Sequence, residues 1–426
     1  MTVIVERRED AGAMAYLVSR YPAVSHTFIL REVQALRALG LRVEVASVNA
    51  PDRAPERMTA DERTEAAATY GIKQHGVAGA LRALSVAAGA HPGALLRTLL
   101  AAWGLGCGLR RLYALAYAVE AVMVARWMAA RGLRHLHVHF GNEAAAVGLL
   151  VKVYSGAGLS LTIHGPDEFD NVSGQRLRQK VEAADCVVCI SQFARSQLMR
   201  LTAPAQWTKL QLCRLGVEPG HFGPTAGALP TRAPGPVRLL SVGRLAPAKG
   251  QLLLVQACAE LAHEGQLFEL TVVGDGPDRA ALEAAVQAHR LTHCIRFTGA
   301  LNQPEVRAEL DRADAFVLPS LAEGIPVVLM EAMASGVPCV TTPVNGIPEL
   351  IEHDRTGLLA TPGCVQALKA QLRRVVADEA LRLTLAVAAR AQVELAFNLG
   401  PNVEKLAAIF HTLPAVRGVH TAGVAA

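Results

Sequence analysis

Two glutamates in an otherwise apolar stretch are the first candidates for chemistry. The segment "EGIPVVLMEAMASGVPCV" begins at Glu323, ends at Val340 and carries a second glutamate, Glu331. Burying a carboxylate without a partner costs several kcal/mol. Each glutamate therefore needs water, a cation or a hydrogen-bonding ligand.

The second glutamate falls on a predicted helix. Pro326 suits the first position of a helix and Gly336 suits the position after its end, so the pattern predicts a helix over 326–335. Glu323 then precedes the helix, and Glu331 lies about 7–8 Å further along at a rise of about 1.5 Å per residue. The free N–H groups of the first turn lie between them and suit a phosphate. A nucleotide-diphosphate sugar, with an anionic centre and hydroxyls on both sides, fits this pattern.

Matching cations occur in an earlier loop of the same half. In "SVGRLAPAKG", Arg244 and Lys249 follow an apolar strand-like run. Gly243 leaves room for close backbone approach, and Gly250 is compatible with a turn. Arg244 could grip a diphosphate with two hydrogen bonds while Lys249 adds a point charge; simple solvation of both cations is the alternative. A further glycine turn, "VVGDGPDR" with Gly274, follows another strand.

Apolar strand-like runs alternate with amphipathic helices in both halves. The runs of the first half are "AYLVS", "RVEVASV", "HLHVHF", "LSLTIHG", "CVVCIS" and "KLQLCRLG", and those of the second are "VRLLSVG", "FELTVVGDG", "CIRFTG", "AFVLPS" and "PCVTTP". The alternation predicts an α/β protein with two Rossmann-like, doubly wound parallel sheets. Ligands of such sheets bind beyond the carboxyl ends of the strands, so two facing domains predict a shared inter-domain cleft.

Composition narrows the class of protein. A chain of 426 residues with 51% hydrophobic and 19% charged residues favours two globular domains over disorder. A net charge of +5 does not indicate a nucleic-acid partner. The N-terminus, "MTVIVERREDAGAMAYLV", has charges where a signal peptide needs an apolar core. No uncharged apolar run reaches the roughly 18–20 residues that span a bilayer, so we expect a cytoplasmic protein, soluble or peripheral.

The stretch 77–130 has two interpretations. It is helical in pattern, rich in leucine and alanine, and contains Trp103, Trp127 and several arginines: Arg97, Arg110, Arg111 and Arg126. One interpretation is a helical layer packed on the first sheet. The other is an interfacial patch on the inner membrane surface, with tryptophan and arginine flanking leucines.

Two patterns raise the question of a metal. The run "HLHVHF" places His135, His137 and His139 on one face of a strand. No carboxylate completes an obvious site in the sequence, so no metal is predicted. Cys186 and Cys189 have C-x-x-C spacing, but "CVVCI" reads as a buried strand on which residues three apart point to opposite faces.

Together the motifs resemble glycosyltransferase family four, which has the GT-B fold and retains anomeric configuration. "GRL" followed by "KG", then "VVGDGP", then "EGIPVVLMEAMASGVPCVTTPVNGIPELI" cover most of 237–362, with the E-x7-E spacing of Glu323 and Glu331. The segment "YPAVSHTFILREV" resembles a bacterial exopolysaccharide subgroup that includes the colanic-acid type. Two positions depart from the pattern, since His26 stands where the subgroup usually has glutamate and Asn345 where the family commonly has glycine.

The resemblance implies roles for the second-domain residues. Glu331 would bind the ribose hydroxyls, and Glu323 would hold donor-sugar hydroxyls near the reacting carbon. Arg244 and Lys249 would stabilise charge on the departing diphosphate. The implied donor-binding residues are Gly243, Gly274, Gly324, Ile325, Pro326, Val327 and Glu331.

In the first domain, "LTIHGPDEF" puts His164 at the end of a strand. The family has a strand-end histidine near the transferred sugar, which implies a catalytic role for His164. Asp167 and Glu168 follow, and they join Ser25 and His26 as candidates for the acceptor side.

The domain organisation follows from the pattern of strands and helices together with this resemblance. We predict an acceptor-binding domain over 1–217, a linker over the Pro/Gly-rich 218–236 and a donor-binding domain over 237–395. A helix within 396–415 is expected to return to the first domain, as in relatives. Residues 416–426 are expected to form a loose tail.

The expected mechanism uses neither metal nor cofactor. No D-x-D triplet is present to hold a diphosphate through a divalent ion, so cations and a helix terminus take that role. The resemblance implies same-face displacement, in which the leaving phosphate helps to deprotonate the acceptor hydroxyl. We expect a hexose to pass from a UDP- or GDP-linked donor to a lipid-linked saccharide at the cytoplasmic membrane face.

Three alternatives stay open. A nucleotide-sugar epimerase of the same architecture would need acid/base carboxylates rather than Arg244 and Lys249. An NAD-dependent dehydrogenase is disfavoured, because no G-x-G-x-x-G follows the first strand of either domain. A non-catalytic sugar-nucleotide binder is disfavoured by the intact set of Arg244, Lys249, Glu323 and Glu331.

Overall fold

The computed structural model describes residues 12–106, 110–223 and 235–416. The chain divides into two compact units. Unit one takes the described parts of Met1–Ile190, Ala194–Cys213 and Val403–Ala426, and unit two takes those of Ser191–Phe193 and Arg214–Asn402. Residues 224–234 of the predicted linker lie outside the described residues.

Unit one contains a seven-stranded parallel sheet. Its strands are β1 (Ala13–Arg20), β2 (Arg42–Asn49), β3 (Tyr70–Gly71), β4 (His135–His139), β5 (Gly158–Ile163), β6 (Cys186–Cys189) and β7 (Leu210–Leu212). Their order is β3-β2-β1-β4-β5-β6-β7. Strands β4 and β6 are buried along their whole length, as expected for a parallel sheet covered on both faces.

Helices cover this sheet. They are α1 (Thr27–Ala38), α2 (Ala60–Ala68), α3 (Gly76–Ala90), α4 (Pro92–Leu105), α5 (Arg110–Ala130), α6 (Glu143–Ser155), α7 (Asp167–Asp170), α8 (Val172–Gln175), α9 (Leu177–Ala183) and α10 (Gln192–Leu201). Several starts follow from local sequence. A capping box between Thr59 and Glu62 begins α2, and the Asn142 side chain accepts from the N–H of Ala144 at the start of α6.

Unit two contains a six-stranded parallel sheet. Its strands are β8 (Val237–Val242), β9 (Phe268–Val273), β10 (Ile295–Gly299), β11 (Ala315–Leu318), β12 (Cys339–Thr341) and β13 (Leu358–Leu359), in the order β10-β9-β8-β11-β12-β13. Its helices are α11 (Gln251–His263), α12 (Arg279–Ala288), α13 (Gln303–Arg312), α14 (Val327–Ala334), α15 (Val365–Ala377) and α16 (Glu379–Ala396). Helix α17 (Leu399–His411) starts in unit two and continues into unit one.

Helices α3 to α5 bury one face and expose another. Ala87, Ala102 and Ala121 are buried in the core of unit one. Large apolar side chains on the opposite faces are exposed, namely Leu81, Leu96, Leu100, Trp103, Leu112 and Tyr113. We call these six residues the apolar face. Trp127 does not belong to it: this residue is 5% exposed and its ring stacks on Tyr70, as in the interpretation of the stretch as a helical layer packed on the sheet.

One segment, Arg111–Ala130 of α5, is long and apolar enough to cross a membrane by length and composition alone. Half of this window is buried inside the protein. Ala118, Val122 and Met128 belong to the hydrophobic core of unit one. The buried half of this segment is therefore part of the core of unit one.

The first residue of the predicted loose tail, Val416, is packed within unit one. Val416 is 2% exposed, and its carbonyl oxygen accepts a hydrogen bond from the N–H of Ala13 over 3.3 Å. This contact anchors Val416 against the first strand. Residues 417–426 lie outside the described residues.

Candidate active site

Two loops of unit two meet beyond β8 and β11, where the strand order of the sheet changes direction. One loop contains Lys249 at the end of a short 3-10 turn, Pro247–Lys249. The N–H groups of Leu321 and Ala322, in the other loop, lie 2.8 and 3.4 Å from the carbonyl oxygen of Ala248. Gly250 has a φ of 65°, and a Cβ there would lie 2.1 Å from the carbonyl oxygen of Pro319. Only glycine permits this approach.

Glu323 has two protein partners. Nζ of Lys249 lies 2.5 Å from Oε1 of Glu323, and Oγ of Ser320 donates to the same oxygen over 2.7 Å. The Glu323 side chain is 8% exposed and that of Lys249 is 26% exposed. The partners predicted for this glutamate were hydroxyls of a ligand, and neither of these residues was predicted.

Glu331 is also paired within the protein. It is buried on α14, and Nε2 of Gln303 donates to its Oε1 over 3.1 Å. Gln303 was not predicted, because nothing in the sequence links the start of α13 to this helix.

The start of α14 differs by one residue from the prediction. Pro326 is the N-cap, with extended backbone, and is not the first helical residue. Within the described ranges, no side chain caps this helix. The N–H groups of Val327 and Val328 therefore have no partner among the described residues, as expected for the first turn of an uncapped helix. Gly336 follows the helix with a φ of 70°.

The glycine turn after β9 lies against the loop after β8. Gly274 has a φ of 138°, and a Cβ there would lie 1.9 Å from the carbonyl oxygen of Gly243. The N–H of Leu245 donates to the carbonyl of Asp275 over 3.0 Å. Arg244, between these glycine contacts, is exposed, and its side chain has no hydrogen bond or ion pair to the described residues.

A fourth loop supports the backbone at Gly324. The N–H of Gly346 donates to the carbonyl of Gly324 over 3.2 Å, and a Cβ at Gly346 would lie 2.5 Å from that oxygen. Asn345 has a φ of 47°. Asparagine tolerates this left-handed conformation better than most residues, which explains how it can stand where glycine is common in the family.

His164 lies just after β5 in unit one and is 7% exposed. Its ring centroid lies 4.3 Å from that of Phe140 and 5.1 Å from that of Phe28. Burial, together with the neighbouring His139 and His26, holds the pKa of His164 well below its usual value. The imidazole is therefore neutral near pH 7.

Glu168, which was predicted for the acceptor side, is held by backbone hydrogen bonds. It is buried, its Oε2 accepts the N–H groups of His164 (2.6 Å) and Gly165 (2.8 Å), and its Oε1 accepts the N–H of Gly141. Burial raises the pKa of Glu168 to about 7, against the opposing effect of these hydrogen bonds. Glu168 therefore fixes the loop that carries His164.

The other acceptor-side candidates are placed differently from one another. The ring of His26 lies 5.1 Å from Phe140, which also contacts His164, so His26 is in the same aromatic cluster. Burial lowers the pKa of His26. Asp167 is exposed. The side chain of Ser25 lies outside the described residues.

A carboxylate that the sequence analysis did not find lies beside the β4 histidines. Ligand-type atoms of Glu32, His137 and His139 all lie within 4.8 Å of one another. Both ring nitrogens of His137 contact hydroxyls, Ser160 at 2.7 Å and Thr162 at 2.9 Å. Nε2 of His139 contacts Glu32, and Nδ1 of His139 contacts His164. Protein hydrogen bonds therefore satisfy these imidazoles.

The cysteines of the C-x-x-C pattern lie on β6 and are free thiols. Burial raises the pKa of Cys186 to about 11 and that of Cys189 to about 12. Thiols with such values are inert as nucleophiles near neutral pH. The buried-strand interpretation is confirmed.

Comparison with known proteins shows which protein family this chain is similar to. A family model described as "Glycosyl transferases group 1" matches residues 230–392. The amylovoran biosynthesis glycosyltransferase AmsK of Erwinia amylovora is 31% identical over 421 residues, covering 94% of this chain and 99% of AmsK. The putative colanic acid biosynthesis glycosyltransferase WcaL of Escherichia coli (strain K12) is 33% identical over 288 residues, covering 65% of this chain and 70% of WcaL.

A solved structure with a similar fold is HepE of Anabaena in complex with UDP and glucose. It aligns with a TM-score of 0.70 at 18% identity, covering 94% of this chain and 100% of HepE. Two parallel-sheet α/β units with this similarity define the GT-B fold, and the predicted fold class is confirmed. The chain belongs to the group 1 family of glycosyltransferases.

Proposed function

We propose that this glycosyltransferase moves a hexose from a UDP- or GDP-linked donor to a lipid-linked saccharide, with retention of configuration and without a metal ion. The observation that carries the proposal is the contact of Lys249 with Glu323 beside the uncapped start of α14. It combines a cation for a diphosphate, a carboxylate for sugar hydroxyls and free backbone N–H groups.

The donor would use this arrangement from end to end. The diphosphate would lie against Lys249, the exposed guanidinium of Arg244 and the first-turn N–H of Val327. Glu331 would accept hydrogen bonds from the ribose hydroxyls. Glu323 would accept hydrogen bonds from hydroxyls of the hexose. Gly243, Gly274 and the backbone of 324–326 would allow the nucleotide to approach closely.

The chemistry needs no group beyond the two substrates and these side chains. The bond between the anomeric carbon and the diphosphate oxygen breaks, and the acceptor oxygen bonds to that carbon on the same face. The acceptor proton passes to the leaving diphosphate. Lys249, Arg244 and the helix terminus would stabilise the charge that develops on this leaving group. Retention is supported by the resemblance of the motifs to family four.

The proposed acceptor and the proposed membrane location are supported by observations other than the donor-site geometry. AmsK and WcaL are named for exopolysaccharide biosynthesis, and the HepE structure contains UDP and glucose. His164, with His26 and Asp167, would serve the sugar and acceptor side.

The apolar face of α3 to α5 supports peripheral association with the cytoplasmic leaflet. Its surroundings are basic, because residues 76–119 contain four arginines and no aspartate or glutamate. Exposed leucine and tryptophan beside arginine match an anionic lipid surface.

Calorimetric titration with UDP-, GDP-, dTDP- and ADP-linked sugars in EDTA tests the donor site. We expect one base class to bind in EDTA, with no gain in affinity on adding Mg²⁺. A matched titration of a Glu331→Ala variant, in which donor binding should weaken, checks that the site is the one described. If none of the nucleotide sugars bound, or if NAD bound instead, the proposal would be contradicted. An epimerised donor as the product would favour the epimerase alternative.

A further inference from the structure

Four polar side chains form a buried hydrogen-bonded chain that ends at His164. Oη of Tyr16 donates to Oε1 of Glu32 over 2.8 Å. Nε2 of His139 lies 3.1 Å from the same oxygen, and Nδ1 of His139 lies 2.9 Å from Nε2 of His164. Tyr16 and His139 have no exposed surface, and Glu32 is 6% exposed. The three contacts are therefore shielded from water.

The direction of each hydrogen bond in this chain can be worked out from the bond between Tyr16 and Glu32. Burial, and then the adjacent Glu32, raises the pKa of Tyr16 well above its usual value, so the phenol keeps its proton and donates it. The Glu32 oxygen that accepts from Tyr16 then also accepts the proton on Nε2 of His139. A neutral imidazole has one donor and one acceptor. Nδ1 of His139 is therefore the acceptor, and Nε2–H of His164 donates to it.

We propose that Glu32 and His139 are positioning residues that hold His164 as the Nε2–H tautomer, with its Nδ1 lone pair available to accept a hydrogen bond from a substrate hydroxyl. Nδ1 of His164 has no hydrogen-bond partner among the described residues. It is the end of the chain that a ligand can reach. That the hydroxyl belongs to a sugar rests on the proposed function, whereas the tautomer is a property of the protein alone.

Two other states of the same residues would reverse this orientation. If His139 were an imidazolium paired with Glu32, it would donate from both nitrogens, and His164 would present Nδ1–H to the substrate. If a divalent metal replaced the proton between Glu32 and His139, the neutral His139 would carry its proton on Nδ1 and donate it to His164, which would again present Nδ1–H to the substrate. Each state has its own nitrogen spectrum.

The direct test is a long-range ¹H–¹⁵N correlation spectrum of the full chain labelled with ¹⁵N-histidine, at pH 7.5. A His164→Gln variant assigns the His164 signals. We expect His139 and His164 both to be neutral, protonated at Nε2 and unprotonated at Nδ1. A His164 ring protonated at Nδ1, a doubly protonated His139 or metal-shifted signals that EDTA removes would each overturn the proposal.

Two substitutions of Glu32 separate the acceptor atom from the charge. Glu32→Gln keeps an oxygen at the position of Oε1, whereas Glu32→Met removes it at similar length; both remove the charge. We expect the Met variant to populate both tautomers of His164 and to lose about tenfold in kcat, the effect of one hydrogen bond, with little change in donor KM. The Gln variant should keep the wild-type tautomer and most of its kcat.

An unchanged His164 tautomer in a folded Glu32→Met variant would overturn the proposal. Tyr16→Phe is the structural control, because it removes a partner of Glu32 but leaves the oxygen that His139 contacts. Its His164 tautomer should be unchanged. If the Met variant fails to fold, the wild-type spectrum still decides. If no nucleotide sugar is turned over, the proposed function fails while the tautomer result stands by itself.

Discussion

Nζ of Lys249 lies 2.5 Å from Oε1 of Glu323, although the two residues are 74 positions apart in the chain. The contact exists because the loops after β8 and β11 meet where the strand order changes direction. A lysine held by a carboxylate needs less reorganisation when a diphosphate arrives than a freely rotating one. The pair thus joins the residue proposed for the leaving group to the one proposed for the sugar.

Lys249→Ala is expected to lower kcat at least about 100-fold, as loss of a preorganised electrostatic group typically does. Donor affinity should change much less, because Arg244 and the start of α14 remain. Turnover kinetics and calorimetry on the same preparation measure the two effects. Ser320→Ala is the matched control, since it removes the other partner of Glu323 and keeps the cation. Retained turnover without Lys249 would exclude it from catalysis.

Glu331→Ala is expected to weaken donor binding by roughly tenfold or more, because hydrogen bonds to a charged group contribute about 1.5–3 kcal/mol. Calorimetric Kd values measure the loss. Gln303→Ala removes one protein partner of Glu331 and leaves the carboxylate, so its Kd should stay close to that of the wild type. Normal affinity in the Glu331 variant would contradict the ribose assignment.

Gly274→Ala should destabilise unit two, whereas Gly243→Ala should not. An added Cβ would lie 1.9 Å from a backbone oxygen at Gly274, but 3.9 Å from the nearest atom at Gly243. Strain and a forbidden φ of this kind cost about 1–3 kcal/mol. Thermal unfolding followed by calorimetry compares the two variants. Equal midpoints would show that the turn relaxes freely.

Unit one should lose stability in mild acid. Burial lowers the pKa of His135 to about 4, so between pH 6.5 and 4 the unfolded chain binds a proton that the folded chain does not. The free energy of unfolding therefore decreases as the pH is lowered through this range, by up to about 1.4 kcal/mol per pH unit for this residue. Burial also holds the pKa of His137 and His164 well below the usual value, which adds to the effect.

Urea unfolding from pH 7.5 to 4.5 measures this dependence. All three tryptophans, Trp103, Trp127 and Trp207, belong to unit one, so their fluorescence reports its unfolding. In His135→Gln the slope of stability against pH should be smaller than in the wild type. Parallel curves for the two proteins would contradict the lowered pKa of His135.

The apolar face should bind anionic membranes. Cosedimentation with vesicles of phosphatidylglycerol and phosphatidylcholine should exceed that with phosphatidylcholine alone and fall with salt. The triple variant Leu96→Ser, Leu100→Ser, Trp103→Ser should bind these vesicles several-fold less than the wild type. Serine at Leu267 and Leu395, which are exposed leucines of unit two, is the matched control. Equal binding by both variants would contradict a membrane role for this face.

The sequence predicted the fold well because parallel strands leave a strong local signal. Apolar strand-like runs marked every strand longer than two residues, whereas β3 and β13 are two-residue strands with no pattern to detect. The glycine and proline around α14 placed its ends to within one residue. These features depend on short stretches of chain.

Tertiary partners could not be predicted in the same way. Glu32 lies 107 positions from His139, and Gln303 lies 28 from Glu331, so neither pair forms a sequence motif. The contacts of Glu168 could not be predicted either, because its position beside His164 does not reveal that three backbone N–H groups donate to its carboxylate. Adjacent residues indicated the loop correctly but not the direction of the side chain.

The most direct test of the central claim uses water as the acceptor, so it needs no knowledge of the natural one. Slow hydrolysis of the α-linked nucleotide sugar that binds is followed by ¹H NMR in EDTA, with the anomer of the released sugar recorded before it equilibrates. We expect the α anomer first, at a rate that Lys249→Ala lowers at least about 100-fold. Release of the β anomer first, or release that requires a divalent metal, would contradict the account.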